Sequence, residues 1–250
     1  MTRTAFIAAF PGELKPLVRT TVEGGNSAGV WPHSSRNGVH FWAMRNEEEE
    51  WIAVCAGAGQ AAATRAFAAL EEGGPVSLVF SIGWAGALRP EIAPGTAHNV
   101  AGVIDVCTGE RFHCDAGAGE LWLVTSPKVA PYSEKRRLTS AYQAALVDME
   151  AAAIARLAAQ RQIPFYCIKG VSDGLTDHLP DFNRFLSPAG QFQLARFALF
   201  AAFRPWYWPA LVRMGENSRK ASQSIAESVL DFLDAQDHIR KRNGYPNFRR

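Results

Sequence analysis

The sequence predicts an α/β fold, a three-layer α/β/α sandwich with a mixed, mainly parallel central sheet. Short apolar runs alternate with alanine-rich helical stretches, the pattern of strands joined through crossover helices. The unit that states this most plainly runs from residue 144 to 173. Residues 144–147 read as a strand, Asp148-Met149-Glu150 opens a helix to about Arg161, and residues 164–171 form a second apolar run. No period of 20 to 50 residues recurs, which argues against a solenoid or a propeller.

Taken in order, residues 4–10 are an apolar run ending in Pro11-Gly12-Glu13, after which Leu14, Leu17 and Val18 have helical spacing. Glu13 is thus expected at the edge of the first strand, in the opening turn of a helix, where a carboxylate also suits the helix dipole. Residues 39–44 and 51–55 read as strands around four consecutive glutamates, Glu47 to Glu50, expected to be a solvated hairpin tip. Ala56-Gly57-Ala58-Gly59-Gln60 then leads into a helix over 60–71. Such a turn can cradle an anion on its backbone N–H groups. Ala62 fills the third glycine position of a dinucleotide fingerprint, so an oxidoreductase reading fails there. Residues 76–82 form a strand that breaks at Gly83-Trp84-Ala85-Gly86, followed by strands over 98–106, 110–113 and 120–125. Residues 133–142 suggest a short polar helix.

After Asp173 the character changes. Residues 1–180 read as the α/β core, and 181–250 as a helical, aromatic-rich extension with a basic, frayed tail. Within it, 192–211 carry seven aromatic side chains between Phe192 and Trp208, interrupted by Arg196 and Arg204 and broken by Pro205 and Pro209. The run reads as core packing, or as a surface for a lipophilic ligand or for peripheral membrane contact. Residues 217–235 have an amphipathic helical pattern with Ile225, Val229, Phe232 and Leu233 on one side.

Composition narrows the function classes. With 48% hydrophobic and 20% charged residues and a net charge of +2, the chain has an ordinary globular balance and no nucleic-acid signature. Four scattered cysteines without a Cys-x-x-Cys spacing indicate reduced thiols, a cytoplasmic setting and no metal site; Cys107 and Cys114 are the one pair within reach of each other in sequence. No signal peptide is visible at Met1 to Phe10. Glu150 and Asp173 stand at the C-terminal ends of successive strands, the edge where open α/β sheets bind ligands.

The residues Val147-Asp148-Met149-Glu150-Ala151-Ala152-Ala153-Ile154-Ala155 and Val171-Ser172-Asp173 resemble the purine nucleoside phosphorylase and nucleosidase superfamily. Phe6 to Phe10 leading to Glu13, and Ile82-Gly83-Trp84-Ala85-Gly86, add to the likeness. In chemistry it is nearest to methylthioadenosine/S-adenosylhomocysteine nucleosidases. The resemblance implies a nucleoside phosphorylase-like fold, no cofactor, a homodimer or larger homo-oligomer, and cleavage of the N-ribosyl bond of an adenine nucleoside carrying a 5′ substituent. It implies that Asp173 is the general acid at the purine, with a raised pKa, and that Glu13 orients or deprotonates water. Glu150 would accept hydrogen bonds from the ribose hydroxyls, Met149 would pack on the sugar, and Ser172 would position Asp173. Gly83, Trp84, Ala85, Lys169 and Val129 would complete the binding set, with Tyr132 beside Val129. The division of labour parallels inverting glycosidases. Phosphorylases of the superfamily carry arginines for phosphate, whereas Phe10-Pro11-Gly12-Glu13 offers a carboxylate, so water is favoured over phosphate as co-substrate. The short middle segment and aromatic tail also resemble a hopanoid-associated branch, whose substrate, adenosylhopane, is lipid-linked and would bring the protein to the inner face of a membrane. A non-catalytic nucleoside binder of the same fold is the alternative of another class.

Overall fold

The computed structural model describes residues 2–19, 31–45, 49–115 and 119–242, with side chains described as far as Ala235. The expected α/β architecture is present. β1 (Thr2–Ala8) lies at the middle of a sheet, paired in parallel with β4 (Glu49–Cys55) on one side and β5 (Leu78–Ala87) on the other. β3 (Val39–Arg45) and β2 (His33–Arg36) extend the β4 side as antiparallel strands. On the other side β5 pairs with both β9 (Leu146–Asp148) and β10 (Phe165–Asp173). β6 (Ala97–Asp105) joins β10 to β8 (Leu121–Thr125), β8 joins β9, and β7 (Arg111–His113) hangs from β6. The strands β5, β10, β6, β8 and β9 therefore curl into a closed ring, which leaves those strands without a free edge.

Period-2 alternation along β1 explains the layers. Ala5 and Ile7 face α2 (Gln60–Glu71) and α4 (Ala151–Arg161), while Phe6 and Ala8 face the long α6 (Trp208–Arg242). Ile225, Val229 and Leu233 of α6 are at most 1% exposed, each contributing roughly 1.5–3 kcal/mol by burial. Helix and strand approach closely at Gly170 of β10, where an added Cβ would lie 2.8 Å from Ala221 Cβ. A third cluster holds α3 (Tyr132–Tyr142) through Leu138 against Ile104, Val124 and Val147. Among the described residues the remaining α-helices are α1 (Pro11–Leu14), a single turn after β1, and α5 (Leu194–Ala202).

Three local expectations differ from the structure. β5 does not break at Gly83 but runs on to Ala87, because β9 and β10 supply pairing partners past the glycine. Glu49 and Glu50 are buried within β4 rather than solvated, since Arg3 on β1 reaches Glu50 Oε2 at 2.7 Å; Glu47 and Glu48 lie outside the described residues. Helix α6 begins nine residues before the expected 217, with Pro209 tolerated in its first turn, where no intrahelical N–H bond is needed. All four cysteines, Cys107 and Cys114 included, are free. The basic stretch 243–250 lies outside the described residues.

Candidate active site

Glu13, in the turn that follows β1, is 3% exposed and its carboxylate is fully engaged. Oε2 accepts from the N–H groups of Ala9 (2.7 Å) and Phe10 (2.8 Å), and Oε1 from that of Trp84 (2.8 Å). Burial pushes this carboxyl above its ordinary value, against the three N–H groups and the charge of Lys169. The third N–H is available because Gly83 adopts φ +133°, where an L side chain would be strained and its Cβ would stand 2.9 Å from Glu13 Oε1.

Glu150 stands between β9 and α4, 8% exposed. Its Oε1 accepts from Gly59 N–H at 2.6 Å and its Oε2 from Met149 N–H at 3.2 Å. The glycine turn over 56–60 thus offers the N–H of Gly59 to this side chain. Burial first, then the adjacent charge of Asp148, pushes Glu150 up to about 8. Asp148 itself accepts from Thr125 Oγ1 (2.7 Å) and Ala151 N–H (2.9 Å), and pairs with Lys169 Nζ at 2.9 Å. Burial works against the Lys169 ammonium, yet the charges of Asp148, Cys167 and Glu150 hold it above the ordinary lysine value.

Asp173 ends β10, and a bulge between Val171 and Asp173 changes the register there. Neighbouring strand residues normally point to opposite faces; the bulge lets both Ser172 and Asp173 face one cavity. Ser172 Oγ donates to Asp173 Oδ1 at 2.6 Å, and Lys135 Nζ donates to Oδ2 at 2.5 Å and to Gly174 O at 2.7 Å. Lys135 is 4% exposed.

These groups converge on a cavity of about 720 Å³. Glu13, Trp84, Ala85, Val129, Met149, Glu150, Ser172 and Asp173 all line it. Gly83 and Lys169 do not: the first lies behind Glu13, the second lies beneath the floor against Asp148. Tyr132 is also away from it, its ring 6.2 Å from that of His178. The Trp84 indole crosses the cavity wall to α6, donating to Ser218 O (3.0 Å) and Ser222 Oγ (2.9 Å). From the carboxylates the cavity continues between Phe182, Leu186, Phe192, Phe197, Leu211 and Met214. That arm is stapled over the glycine turn: Ala58 N–H donates to Gly190 O (2.8 Å) and Gln191 Nε2 to Ala56 O (2.9 Å). Asn183 closes the other side, accepting from Val129 N–H (2.9 Å) and donating to Val129 O (3.0 Å).

Sequence reasoning missed Lys135 and Asp148. One signal for Lys135 was present: it shares a helix face with Leu138 at i, i+3, so a buried Leu138 brings Lys135 inward. Asp148 was hidden by its neighbours Met149 and Glu150, and by the distance in sequence to its partner Lys169. Among the described residues no cluster of His, Cys, Asp and Glu could hold a metal ion. Chemically, the cavity offers two buried carboxylates on one side, a lysine-bound carboxylate on the other, and an apolar extension.

A sequence profile described as the phosphorylase superfamily matches residues 3–105 and 99–203. Comparison with curated proteins gives no sequence match. Among solved structures, the chain is similar to the 5′-methylthioadenosine/S-adenosylhomocysteine nucleosidase of Helicobacter pylori in complex with butyl-thio-DADMe-Immucillin-A. That likeness has 14% identity and a TM-score of 0.68, over 94% of this chain and 99% of that one. The futalosine hydrolase of H. pylori strain 26695 aligns at 14% identity and TM-score 0.67, over 94% and 98% of the two chains. The 5′-methylthioadenosine nucleosidase of Arabidopsis thaliana aligns at 14% identity and TM-score 0.69, over 94% and 95%. At such identities these structures speak for the fold; the profile, which spans most of the chain, shows that the protein belongs to the phosphorylase superfamily.

Proposed function

We propose that the protein hydrolyses the N-ribosyl bond of an adenine nucleoside carrying an apolar 5′ substituent. The observation that carries this reading is the convergence of Glu13, Glu150 and Asp173 on one cavity. Nucleosidases and a futalosine hydrolase share the fold, which supports the same class of reaction here.

In this reading the sugar lies over Met149, with its hydroxyls on Glu150. As the C–N bond breaks, the ribosyl group becomes cationic, and that growing charge draws the raised Glu150 carboxyl toward its ionised form, which favours the cation in turn. Glu13 orients the attacking water and takes its proton. Its backbone partners fix the carboxylate, so little reorganisation is needed at the moment of reaction. The departing purine gains electron density and must be protonated. Both oxygens of Asp173 are already occupied, by Ser172 and Lys135, so the base draws its proton from the Lys135–Asp173 pair rather than from an isolated carboxylic acid. Water is favoured over phosphate because Glu13 holds the nucleophile side and would repel a phosphate dianion, while Lys135 is taken by Asp173. The apolar arm over Phe182, Leu186, Phe192 and Phe197 supports a second, narrower reading, in which the 5′ group is a long lipid chain of the adenosylhopane kind.

Adenine release from methylthioadenosine, S-adenosylhomocysteine and a long-chain 5′-alkyl adenosine, with and without phosphate, tests both readings. Phosphate-independent release is expected, and Asp173→Asn should lower kcat by about 10²–10⁴. Release only from the alkyl nucleoside would select the lipid reading. Nucleoside binding without turnover, equal in wild type and variant, would overturn the enzymatic reading in favour of a binder.

A further inference from the structure

The exposed apolar surface of this protein is concentrated in one short stretch. Leu194, Leu199, Phe203, Trp206, Trp208 and Val212 are each between 51% and 73% exposed. Among the described residues, the one other exposed large hydrophobic side chain is Tyr132, at 38%. Helix α5 has a strongly apolar sequence yet buries none of its residues. Scattered surface leucines need no explanation, but a contiguous patch of this kind does.

Two further observations say what covers it. First, the surrounding charge is of one sign. Arg196, Arg204, Arg213 and Lys220 lie within or beside the stretch and Arg219 lines the cavity next to it, against Glu216 alone. Among the described residues, none of these five cations forms a salt bridge. Arg204 is half-exposed, with its guanidinium over the Phe200 ring, 4.0 Å from the centroid. Second, the patch is continuous with the cavity. Leu194 is 68% exposed and also lines the cavity arm, beside Phe197 of the same helix.

We propose that α5 and the first turns of α6 dock onto an anionic lipid bilayer, seating the mouth of the cavity at the membrane surface. Tryptophan, phenylalanine and leucine enter the headgroup boundary while the arginines meet lipid phosphates. Among the described residues no helix is long and apolar enough to cross a membrane, so the segment lies on the bilayer. A second copy of the chain fits less well, because a two-fold contact would oppose arginines with arginines and shut the mouth beside Leu194. The inference rests on the nucleoside reading only for what enters at that mouth.

The test is co-sedimentation of the full chain, without substrate, with phosphatidylcholine vesicles and with vesicles in which about a third of the lipid is phosphatidylglycerol. At least tenfold more bound protein is expected on the anionic vesicles, falling as salt is raised. The triple variant Leu199→Ser, Phe203→Ser, Trp206→Ser and the double variant Arg196→Glu, Arg213→Glu should each lose this binding at least tenfold. None of these side chains lines the cavity, so both variants should cleave a small soluble nucleoside at the wild-type rate. Equal binding to neutral vesicles, or no binding at low salt, would overturn the proposal. So would a patch variant that changes the sedimentation mass of the protein while leaving its vesicle binding intact, which would assign the face to a second copy. Because binding is scored without turnover, a failed nucleosidase assay does not touch this result, nor the reverse.

Discussion

Glu150 carries the clearest pH signature. Its folded carboxyl is raised to about 8 from an ordinary value of 4.5, so between these limits the folded protein holds a proton that the unfolded chain has released. Stability is then full below about 4.5, falls as pH rises through the interval, and levels off above about 8. Melting followed from pH 5 to pH 8 should show a declining Tm, and Glu150→Gln should flatten the decline. Glu13 is shifted in the same direction, so with its ionised form as the base the acid limb of kcat/KM should lie above the ordinary carboxylate range. Lys135→Met leaves Asp173 Oδ2 without its partner and should lower kcat more than tenfold with a smaller change in KM. Gly83→Ala meets both a positive φ and the Glu13 carboxylate, so a loss of about 1–3 kcal/mol is expected by urea denaturation. Glu13, Glu150 and Asp173 could be picked out in the sequence because each follows an apolar run at a strand end. Lys135 could not, since one lysine in a polar helix looks like another until the packing of Leu138 is known.

At the scale of elements, the contact of α6 with β10 decides how firmly the cavity wall is held. Ala221 faces Gly170 with no room to spare, so Ala221→Leu should push the helix outward at about 1–3 kcal/mol, read as a lowered denaturation midpoint. The Trp84 bonds to Ser218 and Ser222 would be strained by the same shift, and KM should rise with it. Most strands and α2, α3 and α4 were readable from alternation and alanine-rich periodicity, which are local properties. The continuation of β5 beyond Gly83 was not, because a strand persists there only if partners arrive from residues 146 and beyond. The bulge at Ser172 was equally invisible, as it is a mismatch between two strands and leaves no mark on either sequence alone.

For the molecule as a whole, the ring β5-β10-β6-β8-β9 is set by pairings between strands far apart in the chain, which a reading of one segment after another does not reach. The layered α/β order, by contrast, follows from the alternation of patterns along the chain. The reliance of the sheet on α6 leads to a whole-chain expectation. A version ending before Trp208 would uncover Phe6, Phe80 and Ile168 and should lose its single cooperative unfolding transition, as seen by circular dichroism. The cavity wall also has two origins. Its reactive floor comes from strand ends between Glu13 and Asp173, and its apolar arm from Phe182 onward. A lineage of such proteins can therefore drift in appetite without relearning how to cut: substitutions late in the chain exchange one guest for another, while the early part passes down the chemistry unchanged.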